Sequence, residues 1–152
     1  ARGVPVIMNT AARNSTGVAR YGQTLKSTLG ELGRTMVTLW VINRQRDSLE
    51  LLADYLDAMP AGADHQVHVV RNGYFGSAEK FQLYNGSQLK QRIEEGGGLT
   101  LDFPDLADRV ADQMATQRLT IQGALREMPL GHRAELIRWR DEAFKVLGQV
   151  MT

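Results

Sequence analysis

Val67-His68-Val69-Val70-Arg71-Asn72-Gly73-Tyr74-Phe75-Gly76 is a short β-branched run that stops abruptly at an Asn-Gly loop. A run of this kind reads as a strand, and Asn, Gly and Gly at its end as the loop that terminates it. Near-continuous apolar character is the mark of a parallel strand covered on both faces. In open α/β sheets the carboxyl ends of such strands are where ligands bind. The stretch therefore predicts both a fold class and the edge at which to look for a site.

Working outward, Ala61 to Asp64 forms a turn into the strand His65 to Val70, and before it Leu49, Leu52, Ala53, Leu56 and Met59 recur at helical spacing until Pro60. Met36-Val37-Thr38-Leu39-Trp40-Val41-Ile42 is apolar nearly throughout and predicts a second strand covered on both faces, ending at Asn43-Arg44-Gln45-Arg46-Asp47. Val18, Tyr21, Leu25, Leu29 and Leu32 predict a helix capped by Ser15 or Thr16 and closed by Gly33. Val4, Val6 and Ile7, with Pro5 between them, predict a first strand. Because this apolar run lies so near Ala1, and no initiator Met precedes it, residues upstream of the chain are expected in the native protein.

Downstream, an irregular stretch leads to a helix over Gln88 to Glu95, Gly96-Gly97-Gly98, and a fourth strand, Leu99-Thr100-Leu101-Asp102-Phe103. Pro104-Asp105-Leu106 is expected to begin a helix containing Ala107, Val110, Ala111 and Met114. Thr120 caps a short helix through Met128, and a long helix from Gly131 to Val150 is expected to turn Ile137, Ala143, Phe144, Leu147 and Val150 inward. Strands alternate with helices and no hairpin joins neighbouring strands. This predicts a single α/β domain over residues 1–152: a parallel sheet of about four strands flanked by helices, with C-terminal helices packed on it.

Composition narrows the function classes. The chain has 152 residues, 43% hydrophobic and 23% charged, enough for a real core and close to the soluble globular average. No apolar segment approaches the ~20 residues of a membrane span, and no secretory leader pattern opens the chain. The absence of cysteine removes disulfides, thiolate metal sites and a cysteine nucleophile, and fits a reducing, cytoplasmic location. A net charge of +1 provides no global attraction to nucleic acid or acidic lipid.

Three features are expected on the carboxyl edge of the sheet. Asn72 follows a buried strand directly, and its amide pairs a donor with an acceptor, as reading the edge of a purine requires; spacing alone favours the other reading, Asn72-Gly73 as a turn chosen for its torsions. Phe103-Pro104-Asp105 ends the next strand, where it could wall a base or serve as an ordinary strand-to-helix junction. Asn9 ends the first predicted strand, and an amide there binds Mg²⁺ poorly. No G-x-x-x-x-G-K-[ST] loop is present, and Gly96-Gly97-Gly98 precedes a strand rather than a helix. His65, His68 and His132 have no metal-ligand spacing, and no G-x-S-x-G elbow supports a hydrolase triad. Catalytic and metal-ligating residues are therefore not assigned. Arg118, Arg126, Arg133, Arg138, Arg140 and Lys145 are interspersed with Glu127, Glu135, Asp141 and Glu142, which predicts a solvated helix face more than a phosphate-binding one.

Val6-Ile7-Met8-Asn9-Thr10-Ala11-Ala12, Val69-Val70-Arg71-Asn72, Leu101-Asp102-Phe103-Pro104-Asp105 and the closing helices together resemble the C-terminal part of the ParA/MinD-like P-loop ATPases. The likeness is greatest to the plasmid mobilisation, conjugation and partition members of the TraL and StbB types. Gln117 to Leu125 and the arginine-bearing last helix are similar to a TraL-type C-terminus. The resemblance implies that Asn72, with Gly73, contacts the adenine of ATP, that Phe103, Pro104 and Asp105 flank it, and that Asn9 stands where an aspartate orients the Mg²⁺ shell. It also implies that the lysine-bearing phosphate loop lies on a strand absent from this chain. ATP and Mg²⁺ are then expected in the intact protein, with no cofactor and no ATPase activity expected for this chain alone. The expected partners are a second copy and plasmid transfer or partition proteins, and possible DNA contacts are part of the same expectation. A non-enzymatic module that engages protein or DNA through the C-terminal arginines is the alternative.

Overall fold

The computed structural model describes residues 4–10 and 15–151, and it is an α/β protein. Helix α1 spans Ser15–Glu31, strand β1 Met36–Ile42, α2 Arg46–Ala58 and β2 His65–Asn72. Two 3₁₀ turns, Gly73–Phe75 and Ala78–Lys80, lead into the single-turn α3, Gln82–Asn85, and then α4, Gln88–Glu95. Strand β3, Thr100–Phe103, precedes α5 (Asp108–Gln117), α6 (Ile121–Glu127) and α7 (Leu130–Leu147). Among the described residues no helix is long and apolar enough to cross a membrane.

Among the described residues the sheet has three strands in the order β1-β2-β3, all parallel. The expected fourth member is missing because Val4 to Ile7 forms no strand: residues 4–10 have no regular secondary structure and are exposed. A run this short gains strand conformation only by pairing, and Pro5 withholds one of its donors. The described tether of this segment is Arg34 Nη1 donating to the Val4 carbonyl at 3.2 Å. The expected caps Ser15 and Thr16 have side chains outside the described set. Gly33, at φ +59°, closes α1 as its position predicts.

Strand β2 is central and buried on both faces, as its sequence requires. Val67 and Val69 pack with Ile42, Leu52, Leu56, Phe81, Tyr84 and Ile93 beneath α2, α3 and α4. Val70 faces the other way, onto Leu101 and Val150. Strand β1, expected to be covered on both faces, is an edge strand with Val37 and Val41 exposed. A third cluster, Val110, Ala124, Met128 and Leu136, holds α5, α6 and α7 together. Close passage of the α4–β3 link depends on Gly98, where a Cβ would fall 2.1 Å from the Val67 carbonyl oxygen.

Two helix expectations are corrected. Helix α5 starts at Asp108, not at Pro104, because residues 104–107 are pinned as a link: Trp139 Nε1 donates to the Pro104 carbonyl at 2.9 Å and Arg138 Nη2 to that of Asp105 at 3.3 Å. Along α7 the buried positions are Leu136 and Ala143, while Ile137 and Phe144 are exposed. Thr120 does cap α6, accepting from the Gly123 N–H at 3.1 Å.

Candidate functional site

Parallel strands in the order β1-β2-β3 bring three loops side by side on the carboxyl edge: Asn43–Gln45 after β1, the 73–80 turns after β2, and 104–107 after β3. Asn72 and Phe103 are register partners, so the two predicted features are neighbours as parallel topology demands. Gly73 makes the approach possible. A Cβ there would lie 2.5 Å from the Phe103 carbonyl oxygen and 2.9 Å from the Asp105 nitrogen.

The side chains at this junction already have structural work. Asn72 Oδ1 accepts the Tyr74 N–H at 3.1 Å, which caps the first 3₁₀ turn. Its Nδ2 has no protein partner among the described residues, and Oδ1 retains a second lone pair, so the amide can still pair with a ligand edge. Phe103 meets Trp139 edge-on, ring centroids 5.8 Å apart, which places the ring against α7. Asn9 does not follow a strand; it lies exposed within the irregular segment 4–10, so the strand-end argument for putting it on this edge does not hold.

Next to the Asn72 junction, the end of β1 and the turns after β2 enclose a cleft of about 410 Å³ lined by Asn43, Arg44, Gln45, Phe75, Lys80, Gln82 and Leu83. Arg44 Nη1 donates to the Phe75 carbonyl at 3.2 Å, and Asn43 Oδ1 accepts the Gln45 N–H at 2.8 Å. The first bond ties the two walls together, and the second shapes the loop after β1. The lining carries two cations and no acid. Among the described residues neither Arg44 nor Lys80 forms an ion pair.

No family model matches the chain, and no solved structure matches it. A curated relative does. It is Protein MobD of Acidithiobacillus ferrooxidans, 61% identical over 146 residues that make up 96% of this chain and 63% of the relative. The chain thus spans somewhat less than two thirds of the relative's length.

The polar chemistry beneath the edge was not read from the sequence. Arg71 grips Asp102 with one edge of its guanidinium, Nε and Nη2 at 2.7 and 2.9 Å, and donates from Nη1 to Asn85 Oδ1 at 2.8 Å. This ties the ends of β2, β3 and α3 together. His65 Nε2 lies 3.0 Å from Thr38 Oγ1 and 3.2 Å from the Tyr55 hydroxyl. Burial pushes its pKa down, the Pro60 carbonyl opposes that shift, and the Lys26 ammonium adds to it. Its Nδ1 has no hydrogen-bond partner of regular geometry. His68 Nδ1 accepts the Leu99 N–H at 3.0 Å, and burial lowers its pKa as well. No group of three or more His, Asp or Glu gathers as a metal-binding set among the described residues.

Arg138 and Arg140 of α7 follow the solvated-face expectation, whereas Arg133, whose Nε is buried without a hydrogen-bond partner among the described residues, departs from it. Arg138 pairs with Glu135 at 2.6 Å and Glu142 at 2.7 Å, and Arg140 with Asp141 at 3.1 Å. Glu135 is held below the usual carboxylate range chiefly by its hydrogen bond from Arg138. The Asn43–Gln45 loop was legible as a strand end. Its pairing with Phe75 and Lys80 was not, because that depends on how residues 73–84 fold back over β1.

Proposed function

We propose that the chain serves plasmid mobilisation as the base-recognition part of a ParA/MinD-like nucleotide-binding protein. The observation that carries this reading is the in-register meeting of Asn72 with Phe103 at the carboxyl edge of a parallel sheet, where open α/β folds hold ligands. The name of the MobD relative supports the mobilisation setting. Asn72 would pair with the adenine edge through Nδ2 and the second lone pair of Oδ1, with Gly73 and the Phe103-Pro104-Asp105 link bounding the base. Asn9, exposed and without a carboxylate, has no role in holding Mg²⁺ in this reading. This chain carries no phosphate loop, so it supplies recognition and not hydrolysis. A cytoplasmic setting, a second copy as partner and contacts with other transfer proteins or DNA belong to the same proposal.

The test is calorimetric titration of ATP with Mg²⁺ into the intact wild-type protein and its Asn72→Ala variant. Truncating the amide removes hydrogen bonds to the base and should weaken binding about tenfold, the equivalent of ~1.4 kcal/mol. Equal affinity in the two proteins would overturn the role of Asn72, and no binding to either would overturn the nucleotide reading.

A further inference from the structure

The cleft beside the Asn72 junction has a different chemistry from the junction itself. Its charged lining is Arg44 and Lys80, both exposed, and the rest is amide or apolar: Asn43, Gln45, Gln82, Phe75 and Leu83. The nearby acids lie outside its lining. Asp47 Oδ1 accepts the Ser48 N–H at 2.8 Å, and Glu79 accepts from the Ser77 hydroxyl. Glu79 is held below the usual carboxylate range, chiefly by that hydroxyl and to a lesser degree by the neighbouring Lys80 ammonium, and stays anionic without lining the cleft. A guanidinium with one N–H spent on a backbone carbonyl retains four donors in a fixed fork suited to phosphate oxygens, and a lysine adds a mobile point charge. Phe75 offers a ring at the same opening. Tyr74, 69% exposed, stands edge-on to it with centroids 5.2 Å apart. Cations that hold phosphate beside an aromatic on which a base can stack are the recurring composition of sites that take a nucleotide unit without reading its sequence.

We propose that this cleft binds the phosphate-bearing part of a nucleotide unit, with Arg44 and Lys80 on the phosphate oxygens and Phe75 against the base or sugar. The unit can come from a free nucleotide or from single-stranded nucleic acid. The inference rests on the nucleotide reading for its ligand class; its cations are separate from the Asn72 reading, and only Phe75, in the turn that Asn72 caps, is shared with it.

Four probes separate the possibilities: ATP, adenosine, CTP and a fluorescein-labelled oligo-dT. They are titrated into the wild type, the Arg44→Gln/Lys80→Gln double variant, Lys80→Glu alone and Asn72→Ala. The wild type is expected to bind ATP at least tenfold more tightly than adenosine. The double variant should lose that preference for phosphate, and Lys80→Glu, which leaves the Arg44–Phe75 bond in place, should lose most of it. Asn72→Ala should keep the phosphate preference and lose any preference for ATP over CTP. Retained phosphate preference without a base preference in the wild type would leave the cleft standing and remove the adenine reading. Oligo-dT binding tighter than ATP, with a salt dependence that flattens in the double variant, identifies a single strand as the source. Wild-type affinities in both cleft variants, or no phosphate preference in the wild type, would overturn the proposal.

Discussion

At the scale of single residues, the buried histidines of β2 make the protein acid-sensitive. His65 faces α2 and His68 the opposite side, each 3% exposed or less, and each has its pKa lowered by burial. The unfolded chain, with histidines near pKa 6.5, then binds protons that the folded one refuses. Stability is therefore fully present above about pH 6.5 and is lost as the pH falls toward the lowered folded values. Urea midpoints should fall from pH 7 to pH 5, with a slope of at most about 1.4 kcal/mol per pH unit for each histidine. In His68→Asn, whose amide oxygen can still accept the Leu99 N–H, the slope should flatten; an unchanged slope would remove His68 from this account. Glu135 titrates at lower pH and does not confuse the window. The sequence showed these histidines only as strand residues without metal spacing. Burial on opposite faces of one strand is a property of the layers around it.

At the scale of elements, α7 shows how a correct helix can be given a partly wrong face: Ala143 and, just past the helix end, Val150 are buried as expected, whereas Ile137 and Phe144 are exposed. Ile137 and Phe144 are seven residues apart, and so are Leu136 and Ala143, so both pairs form a stripe with helical period. The register is decided by α5, α6 and the sheet: Leu136 closes the cluster with Val110, Ala124 and Met128, and Trp139 reaches Pro104. Leu136→Ala should cost about 2–5 kcal/mol in denaturant unfolding, whereas Phe144→Ala, at a position 65% exposed, should stay within about 0.5 kcal/mol. Comparable losses at both positions would return α7 to the face its sequence suggests. The same tertiary contacts explain why Pro104 and Asp105 do not begin α5. A proline followed by an acid is a fair helix start, but here Arg138 and Trp139 hold both carbonyls in an irregular link.

At the scale of the whole molecule, the three hydrophobic clusters are joined through the sheet. Trp40 belongs to the cluster under α2 and stacks near Tyr55, at 5.0 Å between centroids, while Trp139 belongs to the α5–α7 cluster. If the chain folds as one unit, Trp40→Phe and Trp139→Phe leave a reporter in each half. Within each variant, tryptophan fluorescence and far-UV circular dichroism should give the same urea midpoint. An earlier fluorescence transition for Trp139 would make α5–α7 a separately unfolding layer.

The α/β class, the parallel order of strand and helix, the caps at Thr120 and Gly33, and the meeting of Asn72 with Phe103 were determined by the sequence alone. Periodicity, turn chemistry and the geometry of parallel topology are local or nearly local rules. Only the tertiary structure decided that Val4 to Ile7 remains outside the sheet, that β1 is an edge, which stripe of α7 is buried, and that Arg44, Phe75 and Lys80 share a cleft. Each of those depends on which surface is available to cover another. An apolar run carries the capacity for burial, but the free energy is gained only where a partner surface exists.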